Sequence, residues 1–301
     1  MTALPRLWQR EREWPSGGGC QKSLEYQRPF VACALPPLAG QEGVQLLAVP
    51  FRLMLDFALP QRCPSCGAMA PNGRAIDGAN GGVFCQECWN QLKFLGPPCC
   101  ASCDLPLPYE TERLQKCAEC LAKPPQHDGI KAAVAYGDIA RHVALRLKYA
   151  GRIGLAQMIA VQLMRHVRDL PTDALLVPVP LHWTRLWGRS FNQSVLIARE
   201  ISAVSGHRLC PDLLRRTRRT SPLGGLSGKE RRNMVAGAFS VHEKRTGLLQ
   251  GRHILLVDDV YTSGATTDAC IRTLKKGGAS AVTILCWTRV LPAGLETANA
   301  T

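Results

Sequence analysis

Runs of apolar residues, separated by polar turns, divide the chain after residue 128 into predicted strands. In HILLVDD, at 253–259, successive apolar residues lead into two adjacent carboxylates. Apolarity at successive positions is typical of a central strand in a parallel sheet, because helices cover both of its faces. Similar runs predict three further strands, at 129–137, 174–180 and 281–290.

The intervals between these strands have helical spacing. Leu155, Ile159 and Leu163, for example, recur every four residues. Strands that alternate with helices predict an α/β fold built on a parallel, doubly wound sheet. The predicted helices lie at 139–149, at 155–167, between Ser190 and Gly206, and at 265–276.

Two of these helices carry end signals. Ser190 with Gln193 three positions later matches a capping box, and Gly206 is the expected stop of the same helix. The helix at 265–276 is expected to stop at Gly277 and Gly278.

The pattern also predicts how the chain is divided. Residues 1–44 lack periodicity and are expected to be a disordered extension, or an upstream extension that the cell does not use. Residues 45–125 combine a short apolar segment with a cysteine-rich module. That segment is expected to form an amphipathic helix on the module; membrane contact is the weaker alternative, because its polar face is thin. The α/β domain is expected at 128–290 and a tail at 291–301.

Composition narrows the class of protein. Apolar residues make up 46% of the 301, which is enough for a sizeable core. No uncharged apolar run reaches the length of about 18 residues that suggests a transmembrane helix. The N-terminal MTALPRLWQREREW is charged and lacks the apolar core of a signal peptide. We therefore expect a cytoplasmic protein, with the inner face of the membrane as an alternative location.

The formal net charge is +14, and many of the basic residues cluster between Arg208 and Asn233. Such an excess is compatible with nucleic acid, with phosphorylated substrates or with an acidic membrane surface. A solvated basic loop explains the same cluster. Composition does not choose between these interpretations.

Most of the 14 cysteines fall into four CxxC pairs. Two intervening residues let both sulfurs face one ion, and four thiolates close a tetrahedral site with no open position for catalysis. The spacing predicts about two structural zinc ions, with iron–sulfur clusters as the chemical alternative. Sequential pairing of the CxxC units is the simplest arrangement, and interleaved pairing stays open. The predicted ligands are Cys63, Cys66, Cys85, Cys88, Cys100, Cys103, Cys117 and Cys120.

The remaining cysteines and one histidine are not assigned to a site. Cys99 adjoins Cys100 and is expected to have no ligand role, while His127 is expected to be a surface histidine. The other cysteines fit the tail or the core: Cys20, Cys33, Cys210, Cys270 and Cys286.

LLVDDVYTSGATTD, at 255–268, indicates a site for a sugar phosphate. Asp258 and Asp259 lie where the predicted strand ends, and ligands of open α/β sheets bind at that edge. Gly264 lets backbone approach a ligand, and the following helix offers N–H groups to an anion. Hydroxyls come from Thr262, Ser263, Thr266 and Thr267. Alone, the two aspartates would suit a strand end and a helix cap. The whole string, with its glycine and hydroxyls, indicates a sugar-phosphate site more specifically.

The string ILLVDDVYTSGAT, at 254–266, resembles the phosphoribosyl pyrophosphate (PRPP) motif of type I phosphoribosyltransferases. With the cysteine module, three further segments resemble the ComF family of competence-related (GntX-like) proteins. They are LRLKYAGR at 145–152, VPVPLHWTRLWGRSFNQ at 177–193 and LSGKERRNMVAGAF at 226–239. The resemblance covers roughly 45–290 and implies a type I phosphoribosyltransferase-like parallel sheet with an N-terminal double zinc ribbon.

The resemblance also implies roles for residues. Asp258 and Asp259 would bind the ribose hydroxyls, and Mg²⁺ would accompany the pyrophosphate. The 5′-phosphate would be bound by Thr262, Ser263, Gly264, Ala265 and Thr266. Pyrophosphate and a basic mobile loop over the site would involve Lys148, Leu181, His182, Arg185, Arg189, Lys229, Arg231 and Arg232. Leu223 departs from the family, in which glutamine often precedes the Gly-Gly of this loop.

Two functions follow from the resemblance. One is a protein that binds PRPP or a related sugar phosphate and takes part in DNA uptake, with single-stranded DNA and a protein of the uptake machinery as partners. The other is an active phosphoribosyltransferase of nucleotide or base metabolism or salvage, with no DNA role and an unknown acceptor. We favour the first, and whether the domain catalyses a reaction stays open.

Overall fold

The computed structural model describes residues 62–69, 84–107, 115–149, 153–182, 191–220 and 227–292. The described residues all belong to one compact unit. The predictions for the extension at 1–44, for the apolar segment that follows it and for most of the tail concern residues outside this part. Within the described ranges, no helix is both long and apolar enough to cross a membrane.

The elements alternate as predicted. The strands are β1 Gly129–Ala135, β2 Leu175–Pro178, β3 Arg208–Leu209, β4 Leu214–Arg216, β5 Phe239–Val241, β6 His253–Tyr261 and β7 Ala281–Arg289. The helices are α1 Gln86–Asn90, α2 Ala118–Ala122, α3 Asp138–Tyr149, α4 Ile153–Val167, α5 Gln193–Ser205, α6 Gly228–Val235 and α7 Ala265–Lys276, with a 3₁₀ helix at Glu243–Leu248.

Five of the strands form one parallel sheet in the order β1-β7-β6-β2-β3. This confirms the predicted parallel sheet with helices around it. Pro178 at the end of β2 pairs with Val257 of β6. The segment after β2 and the carboxylates that follow Val257 therefore lie at the same edge of the sheet.

The sheet is buried on both faces. Leu255 and Val257 pack with the core that contains α3, α4 and α5, whereas Ile254 and Leu256 pack with the core that contains α7. All four side chains are fully buried. The continuous apolar run of β6 therefore reflects a strand covered by helices on both sides.

The cysteine-rich module lies along β1, the edge strand of the sheet. Phe94 pairs with Val134 in an antiparallel bridge. Backbone hydrogen bonds on either side fix this contact: Leu95 N–H donates to Ala133 O at 3.2 Å, and Ala135 N–H donates to Lys93 O at 2.8 Å. The module thus pairs with backbone groups of Ala133 and Ala135, at the C-terminal end of this edge strand.

The N-terminal cap of α5 differs from the predicted one. The helix begins after Asn192, whose side chain accepts from Ser194 N–H at 3.0 Å. The capping box between Ser190 and Gln193 is therefore wrong, since Gln193 is the first residue of the helix. Asparagine caps a helix as well as serine does. The predicted stop at Gly206 is confirmed, with φ of +76°.

The basic stretch 208–233 contains more regular structure than its composition indicates. β4 and β5 form an antiparallel pair, and α6 lies on the connection between them. Ser227 caps α6, and Glu230 completes a capping box. Lys229, Arg231 and Arg232, expected on a mobile loop, therefore belong to a helix. The signal for it was Ser227 with Glu230 three residues later.

Candidate functional site

The phosphate cradle, residues 262–267, follows β6 and includes the first turn of α7. The helix begins at Ala265, as predicted, and Gly264 is its N-cap with φ of +73°. The cradle opens into a cavity of about 330 Å³. The cavity is lined by Arg231, Asp258, Val260, Tyr261, Thr262, Ser263, Gly264, Ala265, Thr266 and Thr267.

Gly264 is required at its position for two reasons. Its positive φ lies in the left-handed region, which residues with a Cβ rarely adopt. A Cβ at this position would also lie 2.7 Å from the Tyr261 hydroxyl oxygen. The first intrahelical bond runs from Asp268 N–H to Gly264 O at 2.7 Å. The N–H groups before Asp268 are therefore available to an anion in the cavity.

The hydroxyls of the cradle are not equivalent. Thr262 and Ser263 are exposed, and Thr266 is half-buried. Thr267 is buried, and its hydroxyl donates to Gly264 O at 2.9 Å. The expectation that Thr267 offers a hydroxyl to the ligand is therefore wrong, because that hydroxyl stabilises the first turn of α7.

The two carboxylates at the end of β6 have different partners. Asp258 Oδ1 accepts from Asp259 N–H at 2.9 Å and from Ser194 Oγ at 3.2 Å. Asp259 is buried, and its Oδ2 lies 2.9 Å from Lys148 Nζ. Lys148, expected near pyrophosphate, therefore neutralises a carboxylate of the ribose-binding pair. The role of Ser194 was not predictable, since nothing local in the sequence links it to Asp258, 64 residues away.

The electrostatics of the pair favour one negative charge over two. Burial and the adjacent charge of Asp259 raise the pKa of Asp258 from 3.8 to about 7. Lys148 and the Ser194 hydroxyl oppose this rise. Near neutral pH, Asp258 can therefore exchange a proton when a cation or a hydroxyl group approaches.

The segment after β2 begins beside these carboxylates. Val179 N–H donates to Val257 O at 2.9 Å, which continues the pairing of β2 with β6. Leu181 is half-buried and His182 is buried. Arg185 and Arg189, the other predicted pyrophosphate residues of this segment, lie outside the described residues.

The predicted cations of α6 approach the cradle from another side. Arg231 lines the cavity, whereas Lys229 and Arg232 are exposed. Arg232 also acts on Asp268 in the first turn of α7. Burial raises the pKa of this carboxyl, and Arg272, Arg232 and Lys123 oppose the rise. α6 therefore adds positive charge beside the cradle.

The cysteines form two clusters, each with its sulfur atoms within 4.8 Å of one another. Cluster 1 contains Cys63, Cys66, Cys85 and Cys88, and cluster 2 contains Cys100, Cys103, Cys117 and Cys120. The sequential pairing of CxxC units is confirmed, and the interleaved alternative is wrong.

The chemistry of the clusters fits zinc. Burial would raise the pKa of Cys100, but backbone N–H groups, including that of Cys117 at 3.2 Å from the sulfur, lower it to about 6. The pKa of Cys63 is lowered to about 6 in the same way. These two thiols readily become the thiolates that bind zinc. Burial and neighbouring sulfurs raise the pKa of Cys88 and Cys120, so these two would lose their protons as the metal binds.

The structure confirms the predictions for the described cysteines outside the clusters and corrects the prediction for His127. Cys99 is outside both clusters; its Sγ donates to Asp104 Oδ1 at 3.2 Å. Cys210, Cys270 and Cys286 are buried, as expected of core residues. His127 is not a surface residue: it is buried, and burial lowers its pKa to about 4.

Two family models match the chain. A double zinc ribbon domain matches residues 54–121, and a phosphoribosyl transferase domain matches residues 196–291. The first contains both cysteine clusters and favours structural zinc over the iron–sulfur alternative. The second contains the cradle and α6.

Three curated relatives are similar to the chain over about two thirds of its length. The chain is 30% identical over 198 residues to "DNA utilization protein YhgH" of Escherichia coli strain K12, which is 64% of this chain and 84% of the relative. It is 28% identical over 207 residues to "Competence protein F" of Haemophilus influenzae, 67% of this chain and 88% of the relative. It is 26% identical over 201 residues to "Competence protein ComFC" of Streptococcus pneumoniae, 66% of this chain and 84% of the relative.

The double zinc ribbon, the phosphoribosyltransferase-type sheet with its cradle, and relatives named for competence and DNA utilization agree with one another. This chain belongs to the ComF family, a group of competence-associated proteins with a phosphoribosyltransferase-like domain.

Proposed function

We propose that the protein binds PRPP or a closely related sugar phosphate, together with Mg²⁺, and takes part in DNA uptake. The observation that supports this most is the meeting of two different recognition elements in one cavity. Backbone N–H groups at the start of α7 suit a phosphate monoester. Asp258, which lines the same cavity, suits the hydroxyl groups of a sugar.

The ion pair between Asp259 and Lys148 reduces the negative charge where the sugar hydroxyls would bind. The ion pair of 2.9 Å holds Asp259 in place and offsets one of two adjacent negative charges. Without that cation, two carboxylates beside a polyanionic ligand would oppose its binding. Lys148 therefore acts on the ligand through Asp259.

The site would hold Mg²⁺ together with the sugar phosphate. Mg²⁺ prefers oxygen ligands and keeps several waters, so the pyrophosphate of PRPP can carry it into the cavity. The residues present fit such an ion, because Asp258 places carboxylate oxygens in the lining of the same cavity. When bound, Mg²⁺ would neutralise the charge of the pyrophosphate. Arg231, which lines the cavity, supplies a fixed positive charge beside it.

The DNA role is supported by the relatives and by the charge of the chain. Relatives are named for DNA utilization and for competence, and the net charge here is +14. The basic segment with α6 is the surface that we propose for single-stranded DNA. A protein of the uptake machinery is the other proposed partner.

Arg218 is not suited to test DNA contact by charge reversal. Its guanidinium donates to Met234 O at 3.0 Å and to Ala236 O at 2.8 Å, at the end of α6. Reversing it would disturb the helix. Arg215 and Arg219 are exposed and make the better pair. Reversal of both should flatten the salt dependence of DNA affinity, and an unchanged slope would remove this surface from the DNA path.

An active phosphoribosyltransferase is the second proposed function, supported by the match of the phosphoribosyl transferase domain to 196–291. A nitrogen nucleophile would attack the anomeric carbon of PRPP, and pyrophosphate would leave with the bonding electrons. Release of pyrophosphate in the presence of an acceptor tests this activity. Its absence across a broad panel of bases and amines would count against it.

The binding proposal is tested by calorimetric titration of PRPP with Mg²⁺. Saturable binding is expected for the wild type and should be lost in Asp258→Asn/Asp259→Asn. A matched control, Asp169→Asn/Asp173→Asn, removes the same number of charges in the turn that precedes β2, at the opposite edge of the sheet. No binding to folded, zinc-loaded wild type would refute the proposal, as would equal loss in the control.

A further inference from the structure

Arg289, the last residue of β7, lies between cluster 2 and the cradle. Its side chain is buried, with the residue 7% exposed. Nη1 donates to the main-chain oxygen of Cys103, a residue of cluster 2. On its other side, the guanidinium carbon lies 5.7 Å from the centre of the Tyr261 ring. The Arg289 side chain therefore contacts both Cys103, a ligand residue of cluster 2, and Tyr261, the residue that precedes the cradle.

The charge of Arg289 lacks a matching carboxylate. Among the residues that the structure describes, no carboxylate oxygen lies within ion-pair distance of it, and its buried Nε has no hydrogen-bond partner. A buried guanidinium without an anion is unfavourable. Four thiolates around one Zn²⁺ carry a net charge of about −2. Because Nη1 contacts the main chain of Cys103, a ligand residue of this cluster, loaded cluster 2 would place the missing negative charge beside the guanidinium.

Tyr261, which Arg289 contacts, determines the shape of the cradle. The Tyr261 hydroxyl occupies the space beside Gly264, 2.7 Å from where a Cβ would lie. The backbone of Tyr261 is held as well, because its O accepts from Val290 N–H at 2.9 Å. A shift of Arg289 would therefore move the Tyr261 ring against the backbone that faces the phosphate.

Cluster 1 offers an internal comparison. Arg165 of α4 stacks on Phe94, with its guanidinium carbon 5.6 Å from the ring centre, and donates to Leu95 O at 2.9 Å. It too joins the cysteine-rich module to the sheet domain through a ring and a main-chain oxygen. However, Cys63 and Cys88 of cluster 1 pack with the core of α3, α4 and α5, on the face of the sheet opposite to α7. Arg165 therefore resembles Arg289 in contacting a ring and a main-chain oxygen of the module. It differs in being more exposed, in contacting Leu95 and not a cysteine ligand, and in lying on the other face of the sheet.

We propose that Arg289 is a positioning residue that couples cluster 2 to the cradle, so that zinc in cluster 2 is needed for full affinity of the cradle for phosphate. Zinc in cluster 1 has no such effect. Coupling of this kind is reciprocal, so a ligand in the cradle stabilises zinc in cluster 2 to the same degree. The coupling rests on the proposed binding of a sugar phosphate.

The test uses the full-length, zinc-loaded protein and two readouts. PRPP affinity with Mg²⁺ is measured by calorimetry, and zinc release to a chromophoric chelator is followed over time. In Arg289→Met, PRPP affinity should fall roughly fivefold or more. Zinc should also leave one of its sites about tenfold faster, because a charged neighbour of the cluster is lost. Arg165→Met, the matched control, should leave PRPP affinity unchanged.

A reciprocal measurement needs no change to Arg289. Saturating PRPP should slow zinc release from one site of the wild type, and Asp258→Asn/Asp259→Asn should abolish that effect. Cobalt in place of zinc gives an optical signature, since the thiolate charge-transfer band of cluster 2 should shift when PRPP binds. These readouts decide the question if Arg289→Met fails to fold.

The outcomes separate the two proposals. A wild type that does not bind PRPP would overturn the proposed function, and the coupling with it. A wild type that binds PRPP with the same affinity as folded Arg289→Met, and whose zinc release does not respond to PRPP, would overturn the coupling alone. Equal loss of PRPP affinity in Arg165→Met would also overturn it, because the effect would then belong to module packing in general.

Discussion

The cysteine clusters and the phosphate cradle are both built to hold an ion, but they are organised in opposite ways. Each cluster brings together four side chains from short segments, and the helices involved, α1 and α2, have only five residues each. The cradle is formed by backbone between β6, with nine residues, and α7, with twelve. The clusters therefore depend on the metal for their structure, whereas the cradle is held in place by the sheet.

Loss of zinc from cluster 2 should produce the largest effect. Cys100→Ser/Cys103→Ser removes two of four ligands, and a structural zinc contributes on the order of 10 kcal/mol to the folding of its module. Metal analysis should show a fall from about two zinc ions per chain to about one. Circular dichroism should show that the helices of the sheet domain remain.

Cys99→Ser is the control for that experiment. Cys99 adjoins Cys100 in the chain but lies outside cluster 2, and burial with the neighbouring Asp104 charge raises its pKa to about 12. The variant should keep both zinc ions. If it loses one, or if the double variant keeps two, the assignment of cluster 2 is wrong.

A methyl group at Gly264 should be the next largest disturbance. Gly264→Ala places a Cβ 2.7 Å from the Tyr261 hydroxyl at a φ of +73°. The left-handed conformation alone costs about 1–2 kcal/mol for a residue with a Cβ. Urea unfolding should show at least this loss, and calorimetry should show no PRPP binding.

Gly154→Ala controls for the added methyl group. Gly154 lies in the first turn of α4, and a Cβ there would meet no atom within 4 Å. This variant should bind PRPP as the wild type does and be slightly more stable. If Gly264→Ala binds PRPP normally, the backbone of the cradle is not what recognises the phosphate.

The cradle and the clusters could both be predicted from the sequence, each for a different physical reason. The cradle was predictable because its signals are local: an apolar run ends in two carboxylates, and α7 follows with the predicted bounds. The clusters were predictable because CxxC spacing reflects the geometry of a metal site. The stop at Gly206 was readable for the same reason, since glycine adopts the left-handed conformation required there.

The partners of these residues were not predictable, because they depend on which strands are neighbours. Ser194 reaches Asp258 only because β2 lies beside β6 and α5 begins at the same edge. Arg289 reaches Cys103 across 186 positions of the chain. β3 and β4, with two and three residues, were missed because they are too short and too basic for a periodic signal.

The carboxylate pair should make stability depend on pH in a direction unusual for an acid. The pKa of Asp258 is raised from 3.8 to about 7, so the folded chain holds a proton that the unfolded chain has released. Stability should therefore fall as pH rises from about 4 to about 7. Urea unfolding across this range should show a steeper fall for the wild type than for Asp258→Asn.

Lys148→Met sharpens this test. Lys148 lowers the pKa of Asp258, so its removal should raise that pKa further and extend the fall in stability to higher pH. Identical pH profiles for the wild type and Asp258→Asn would show that Asp258 titrates normally in the folded protein.

Ser194→Ala should have the smallest effect and is the strictest test of the contrast. The substitution removes a hydrogen bond of 3.2 Å to Asp258 Oδ1, which should cost about 1 kcal/mol or less. Calorimetry should show PRPP affinity reduced by less than about tenfold. Ser205→Ala, which removes a hydroxyl bonded to Ile201 O at the other end of α5, is the control and should have no effect on affinity.

A complete loss of PRPP binding in folded Ser194→Ala would contradict the view that the cradle, unlike the clusters, is organised by its backbone. Such a loss would mean that side-chain hydrogen bonds around Asp258, and not the backbone of the cradle, organise the site. The affinity of this variant at high pH separates the two cases. If only the pKa of Asp258 is disturbed, binding should recover once the carboxyl is ionised, because the backbone around Gly264 is unchanged.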